Sequence, residues 1–175
     1  MRDDSTHDGT ALAARIAERR AGVGDHRALV GELRRALVLV PIDGGGLWTG
    51  QSGGVRWIFG FTDQAALARF AQARAAEATG ATGATEGTSD ARNAYGTSAP
   101  WEFAELRGAR LLDEIVPAMG VPGGVAINVA DPDGAMLFPP VVGIVPDAVA
   151  VDAGIDVPHR IDVPHGIDVP HQVRT

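Results

Sequence analysis

Residues 36–70 constrain the fold most, because they combine an apolar run, two glycine-rich stretches and the start of a helix. The short run 37–40, rich in Val and Leu and ended by Pro41, is typical of a strand buried on both faces. The glycines that follow Asp43 predict a turn, since glycine adopts positive φ angles at little cost. Two further strands are predicted at 47–49 and 55–59, joined by a glycine-rich loop at 50–54.

Alternation along the second of these strands assigns its side chains to two faces. Val55, Trp57 and Phe59 share one face, and Arg56 and Ile58 share the other. A helix follows, with Thr62 as the predicted N-cap and Asp63 in the first turn. Its apolar positions recur at helical spacing: Ala66, Leu67, Phe70 and Ala73.

Two helices are predicted before the first strand. Asp25 is a suitable N-cap for a helix that reaches residue 36, with leucines in register along it. Residues 1–24 are interpreted as an N-terminal extension with a short helix at 11–20. Leu12 and Ile16 give this helix only a narrow apolar face, which favours a solvated or loosely docked helix over a membrane-binding one.

The remaining core elements complete a single α+β domain over residues 25–146. A further strand and a helix are expected after residue 100, and then two strands joined by the turn Asp131-Pro132-Asp133-Gly134. We expect a mixed or mostly antiparallel sheet that is covered by helices on one face.

These motifs also resemble a known family. The chain is similar to the SseB N-terminal domain family, the enhanced serine sensitivity family, in several segments. These are the apolar strand, the glycine-rich turn, the Val-Arg-Trp strand, the helix start at 61–70, and segments 101–112 and 124–140. The resemblance covers roughly residues 27–145, with Val129 where the family often has proline. It implies the same α+β fold and mildly implies a protein-interaction role. The molecular activity of the family is unassigned.

Two segments lack the pattern of a packed core. Residues 79–100 are rich in Gly, Ala, Thr and Ser, which predicts a flexible insert. The C-terminal region 147–175 contains three copies of Ile-Asp-Val-Pro-His at a six-residue spacing. A proline in every copy excludes a helix, and histidines this far apart on an extended chain do not converge on a metal. The sequence therefore predicts a disordered tail.

Composition excludes several classes of function. The chain has 175 residues with a net charge of −7 and no Cys, and all its basic residues other than His are Arg. Acidity argues against nucleic-acid binding. The absence of cysteine removes disulfides, thiol nucleophiles and thiolate metal sites. No apolar run reaches the ~18 residues that a membrane helix needs, and the N-terminus lacks the pattern of a secretory signal. We expect a cytoplasmic protein without cofactor or metal.

Candidate catalytic residues are few. Asp131 and Asp133 could form a metal-binding or acid–base pair, but Asp, Pro and Gly in this order are ordinary turn residues. Ser52 lies outside the Gly-x-Ser-x-Gly motif, and the predicted domain offers only His26 as a base. The glycines at 44–46 precede a strand, whereas a phosphate-binding loop precedes a helix. We therefore assign no catalytic, cofactor or metal residues and expect no enzyme.

Two functional hypotheses remain open. The first is a non-catalytic module that binds an unknown protein partner through Trp48, with Asp43 and Gln51 as the polar rim, because an aromatic side chain in a glycine loop offers contact area at a low entropic cost. The alternative is a small-molecule-binding or hydrolytic enzyme that uses the acidic turn residues. A pocket with convergent polar groups would favour the second, and a shallow apolar patch the first.

Overall fold

The computed structural model describes residues 4–80 and 101–154 and confirms the predicted α+β class. Most of the predicted insert and all three repeats of the predicted tail lie outside these residues. The α-helices are α1 Asp4–Arg20, α2 His26–Arg35, α3 Gln64–Gly80, α4 Gly108–Arg110 and α5 Val116–Ala118. The segment Leu111–Ile115 joins the last two as a π-helical turn. The strands are β1 Leu37–Asp43, β2 Gly46–Leu47, β3 Thr49–Ser52, β4 Val55–Gly60, β5 Phe103–Arg107, β6 Gly123–Ile127 and β7 Met136–Phe138.

The strands form two sheets that meet at one point. The first has the order β2-β1-β5 and is antiparallel. The second has the order β3-β4-β6-β7, and its central pair β4–β6 is parallel. Leu39 and Phe61 exchange two backbone hydrogen bonds of 2.8 and 2.9 Å, which connect β1 directly to the end of β4. The predicted mixed or mostly antiparallel pairing is confirmed, but the strands form two sheets and not one, and helices cover both faces of β4 and not a single face.

The two glycine-rich stretches differ from the prediction in one respect. Gly44 and Gly45 form the turn between β1 and β2, and Gly53 and Gly54 form the turn between β3 and β4, all with positive φ angles. Paired positive φ angles are typical of tight hairpins. The predicted strand 47–49 is therefore divided at Trp48 between two sheets, and the predicted loop 50–54 shortens to two residues.

Helix α1 belongs to the main core, which corrects its interpretation as a solvated or loosely docked extension. It starts at Asp4, seven residues before the predicted start, and Leu12 and Ile16 are fully buried. Close approach is possible because a Cβ at Gly9 would lie only 2.0 Å from the carbonyl oxygen of Thr62. A narrow apolar face is sufficient when the helix packs this closely against its neighbours.

The capping predictions have different outcomes for the two helices. Asp25 caps α2 as predicted, and its carboxylate accepts a hydrogen bond of 2.8 Å from the amide of Ala28. The cap of α3 is Asp63 and not Thr62, because the Asp63 carboxylate accepts the Ala66 amide at 2.8 Å. Thr62 is instead buried in a polar contact with Asn128.

Buried hydrophobic residues form two clusters on opposite faces of β4. The main core lies on the Ile58 face, where β1, β6 and β7 meet α1, α2 and the helical segment after β5. The second cluster lies on the Phe59 face under α3 and includes Leu39, Phe61 and Phe70. The predicted division of side chains along β4 is thus observed, with the fully buried position at Ile58.

The chain after β7 folds back onto the domain. A 3-10 turn at Asp147–Val149 is followed by a hydrogen bond from the amide of Val151 to the carbonyl of Pro140 at 2.7 Å. The carboxylate of Asp152 accepts the Val142 amide at 2.8 Å. The predicted domain boundary at residue 146 therefore falls within a docked segment. None of the described helices is both long and apolar enough to cross a bilayer.

Candidate functional site

Trp48 lies at the apex of a fork between the two sheets. Its amide donates to the carbonyl of Pro41 on β1 at 2.8 Å, and its carbonyl accepts the amide of Phe59 on β4 at 3.4 Å. β2, which pairs with β1, leads into Trp48. β3, which pairs with β4, leads away from it. The backbone of Trp48 is thus fixed on both sides, so its ring is held in a defined place above the second cluster.

Aromatic rings surround the Trp48 side chain. The centroid of Trp101 lies 4.9 Å away, and the centroid of Phe70 lies 6.1 Å away in an edge-to-face arrangement. Phe70 also contacts Phe59 and Phe61, at 5.6 and 5.1 Å. These separations are those of favourable aromatic pairs. Trp48 and Trp101 remain partly exposed, whereas Phe70 and Phe61 are buried.

Helix α3 adds charge to this aromatic floor. Phe70, Arg74 and Glu77 follow each other at helical spacing, so they share one face of α3. The guanidinium carbon of Arg74 lies 5.9 Å from the centroid of the Trp48 ring, within cation–π distance. The same guanidinium forms an ion pair of 2.6 Å with Glu77. Arg74 therefore lies between the Glu77 carboxylate and the ring of Trp48.

These residues enclose a half-open cavity of about 550 Å³. The Phe59–Phe70 face forms the floor, and Val129 and Ala130 after β6 close one end. The polar rim consists of residues from β1, β3 and α3: Asp43, Thr49, Arg74 and Glu77. Two carboxylates and one guanidinium give the described part of this rim charges of both signs.

The structure brings two of the three predicted interaction residues together. Asp43 and Trp48 both line the cavity. Trp48 is packed more deeply than a rim residue, because Trp101 and Phe70 contact its ring. Gln51 does not line the cavity. It is exposed on β3 opposite Arg56, on the strand face away from Gly50, so its side chain is not part of the predicted rim.

Gly50 shapes the floor of the cavity. A Cβ at this position would lie 2.7 Å from Cζ of Phe59, so only glycine lets the Phe59 ring lie over β3. The site therefore includes positions that support the predicted tryptophan as well as Trp48 itself. Arg74 and Glu77 were missed, although their spacing from Phe70 on the predicted helix was a usable signal.

The acidic turn has a structural role in this arrangement. One carboxylate oxygen of Asp131 accepts the amides of Asp133 and Gly134, both at 3.1 Å, and the other accepts Arg69 at 2.9 Å. Burial raises the pKa of Asp131, but these hydrogen bonds and the Arg69 charge outweigh it, so the pKa lies below its ordinary value. Asp133 contributes its amide and is exposed. No hydrogen bond joins the Asp131 and Asp133 carboxylates, so they do not share a proton as an acid–base pair would.

A buried polar contact positions α3 over the cavity. Asn128 directly follows β6 and has a φ angle of +52°. Its amide group accepts the Thr62 backbone amide and donates to the Thr62 hydroxyl, both at 3.0 Å. This contact fixes the chain just before α3 to the end of the neighbouring parallel strand. Sequence reasoning had no signal for this long-range pair.

The described residues contain no group of three or more His, Asp and Glu side chains placed to hold a metal ion. His26 is exposed at the start of α2, and Ser52 is exposed at the end of β3. No family model, curated protein or solved structure matches this chain. Function is therefore inferred from the geometry of the site.

Proposed function

We propose that this chain is a non-catalytic protein-interaction module whose contact surface is the cavity around Trp48. The observation that carries the proposal is the half-open aromatic floor, with Trp48 and Trp101 both partly exposed. Aromatic side chains dominate the energetics of protein interfaces because they bury a large area with few rotatable bonds. The resemblance to the SseB N-terminal domain family is in keeping with this role.

The rigidity of the surface supports the proposal as well. Trp48 is fixed by backbone hydrogen bonds to two strands, and Arg74 is held between Trp48 and Glu77. Groups that are already ordered lose little conformational entropy when a partner binds. The polar rim beside the aromatic floor resembles the arrangement of a small interface, with an apolar centre and charged residues around it.

A small-molecule ligand is the second candidate, because 550 Å³ lies within the range of small-molecule pockets. The hydrolytic version of this alternative has less in its favour. The Asp131 carboxylate is engaged by two backbone amides and Arg69, and neither Asp131 nor Asp133 lines the cavity. A catalytic carboxylate would need to reach a bound substrate.

Site-specific photo-crosslinking tests the proposal. A benzophenone amino acid replaces Ala73, which is exposed on α3 and lines the cavity, and the protein is expressed in the cells from which it comes. The matched control carries the same group at Glu114, which is exposed on the helical segment after β5. We expect a discrete crosslinked protein band from position 73 that is absent from position 114.

Loss of the band with Trp48→Leu, in a variant shown by circular dichroism to be folded, would support Trp48 as the anchor. Equal crosslinking from positions 73 and 114 would indicate nonspecific contact and contradict the proposal. A small molecule covalently attached at position 73, with no protein band, would favour the second candidate instead.

A further inference from the structure

The loop after β6, residues 128–135, forms the end wall of the Trp48 cavity. Its residues Val129 and Ala130 line the cavity and pack against the second cluster. The other lining residues lie in strands or in α3, apart from Trp48, whose backbone is fixed on both sides. The position of the end wall therefore depends on the contacts that hold this loop.

Two arginines from different helices hold the loop. Arg69 of α3 donates to the Asp131 carboxylate at 2.9 Å. Arg20, the last residue of α1, donates to the backbone carbonyls of Pro132 at 2.7 Å and Ala135 at 3.2 Å. Hydrogen bonds from an ionised donor are stronger than those between neutral groups. A single guanidinium thus joins two points of the loop to α1.

The packing of α1 in the main core directs Arg20 toward the loop. Leu12, Ile16 and Arg20 follow each other at four-residue spacing, so they lie along one ridge of the helix. Leu12 and Ile16 are fully buried, which fixes the rotation of α1 about its axis. The residues that attach α1 to the core therefore also determine where the Arg20 side chain can reach.

We propose that Arg20 is a positioning residue of the interaction site, which ties the end wall of the Trp48 cavity to α1. This inference rests on the proposed function and adds to the site a helix whose described residues do not line the cavity. A loop that loses one of its two arginine contacts samples more positions. A partner that fits the tied position then binds more weakly, because that position is only fractionally populated.

NMR of the purified full chain tests the position of the wall. The methyl resonances of Val129 and Ala130 report their surroundings, and those of Val38 and Val125 in the main core serve as internal controls. We expect Arg20→Gln to shift the first pair and not the second. A role in overall stability alone would leave all of these native-state resonances in place.

Hydrogen exchange measures how often the loop opens. The amides of Asp133, Gly134 and Ala135 are bonded to Asp131 within the loop. We expect Arg20→Gln to speed their exchange about fivefold, the effect of losing a typical solvent-exposed hydrogen bond.

Two further variants separate this contact from other effects of charge. Arg19→Gln is the matched control, since it removes the same charge from the same last turn of α1 and so has the same effect on the helix dipole. Within the described residues, the Arg19 side chain has no hydrogen bond or ion pair. Arg20→Lys keeps the charge and its donors without the planar fork, and we expect it to restore the wall resonances in part.

The photo-crosslink from position 73 connects the wall to recognition. We expect the partner band to weaken about fivefold in Arg20→Gln and to keep its intensity in Arg19→Gln. Circular dichroism establishes that each variant is folded. If Arg20→Gln does not fold, Arg20→Lys is compared with Arg19→Lys by the same measurements.

Each outcome supports or overturns a defined step. Unmoved Val129 and Ala130 resonances in the Arg20 variant, or an equal shift in the Arg19 variant, overturn the positioning role while the proposed function stands. A displaced wall with an undiminished band from position 73 shows that the wall takes no part in recognition and overturns the inference too. Absence of any specific crosslink from the unaltered chain contradicts the proposed function itself, and the resonances of the purified protein still decide whether Arg20 positions the wall.

Discussion

The two faces of β4 lead to two different kinds of packing. On the Ile58 face, mostly aliphatic side chains from three helices and four strands close a core in which residues such as Leu33, Val38 and Ile127 are fully buried. On the Phe59 face, α3 is the one helix of the described residues that covers a smaller, mostly aromatic cluster. Its outer members, Trp48 and Trp101, keep part of their surface in solvent.

The difference between these regions indicates how stability and recognition are divided in this fold. A closed aliphatic core removes the most apolar surface from water and tolerates little change in volume. An open aromatic cluster removes less apolar surface from water and so stabilises the fold less. It leaves large rings at the surface, held in place by a rigid backbone. The comparison predicts large effects on stability for changes on the first face and a larger share of functional effects on the second.

The largest expected effect on stability is at Ile16, which tests whether α1 belongs to the closed core. Ile16→Ala should lower the free energy of unfolding by about 2–5 kcal/mol, because the fully buried side chain leaves a cavity. Arg19→Ala, an exposed position on the same helix, should change it by less than about 0.5 kcal/mol. Chemical denaturation monitored by circular dichroism measures both. A cost below about 1 kcal/mol for Ile16→Ala would restore the interpretation of α1 as a loosely attached extension.

The sequence predicted features that depend on neighbouring residues better than features that depend on contacts between distant parts of the chain. Local signals were sufficient for the order of elements from α2 to β7, since Asp25 capped its helix and the glycine pairs formed turns. The docking of α1 depends on Gly9 meeting Thr62, a contact between distant parts of the chain. No periodicity within one helix reveals the surface on which it will pack.

The candidate site was predicted in part for the same reason. Trp48 beside glycines was a local signal, and Asp43 lies in the same hairpin. Gln51 was misplaced because the hairpin loop was predicted to have five residues, which obscured the face of β3 on which it lies. Trp101 joins the cluster across a long sequence separation, and its contact with Trp48 could not be inferred from either segment alone.

An intermediate effect is expected at Gly50, where the aromatic region has its own packing limit. Gly50→Ala should destabilise the fold by about 1–3 kcal/mol, because the added Cβ meets the Phe59 ring at 2.7 Å and displaces it toward Phe70. Gly31→Ala in α2 is the matched control. Its Cβ would meet only the end of the Arg35 side chain, so it should stabilise by about 0.5–1 kcal/mol.

Thermal and denaturant unfolding of the two glycine variants measures this difference, and tryptophan fluorescence reports any movement near the cavity. Opposite signs for the two substitutions would confirm that the aromatic cluster is tightly packed at its base although its top is open. If Gly50→Ala were neutral or stabilising, the Phe59 ring would have room to move, and the base of the aromatic cluster would not be tightly packed.

The smallest expected effect is at Asp131, which joins α3 to the loop after β6 through Arg69. Asp131→Asn keeps an oxygen that can accept the amides of Asp133 and Gly134 and removes only the charge. Its cost should be about 0.2–1 kcal/mol near neutral pH, as for other partly exposed ion pairs.

The lowered pKa of Asp131 determines how its contribution to the free energy of unfolding changes with pH. Because the folded-state pKa of Asp131 lies below its ordinary value, its charge stabilises the fold above the unfolded-state pKa, and this contribution is lost as pH falls through the folded-state pKa. The difference in unfolding free energy between the native protein and Asp131→Asn should therefore be constant from pH 7 to about pH 5 and shrink below about pH 4. Denaturant titrations across this range measure it. Arg69→Gln should show the same trend, since it removes the partner of the same ion pair. A difference that grew on acidification would mean that the Asp131 charge opposes folding, and the loop after β6 would then be held at the open face by its backbone hydrogen bonds alone.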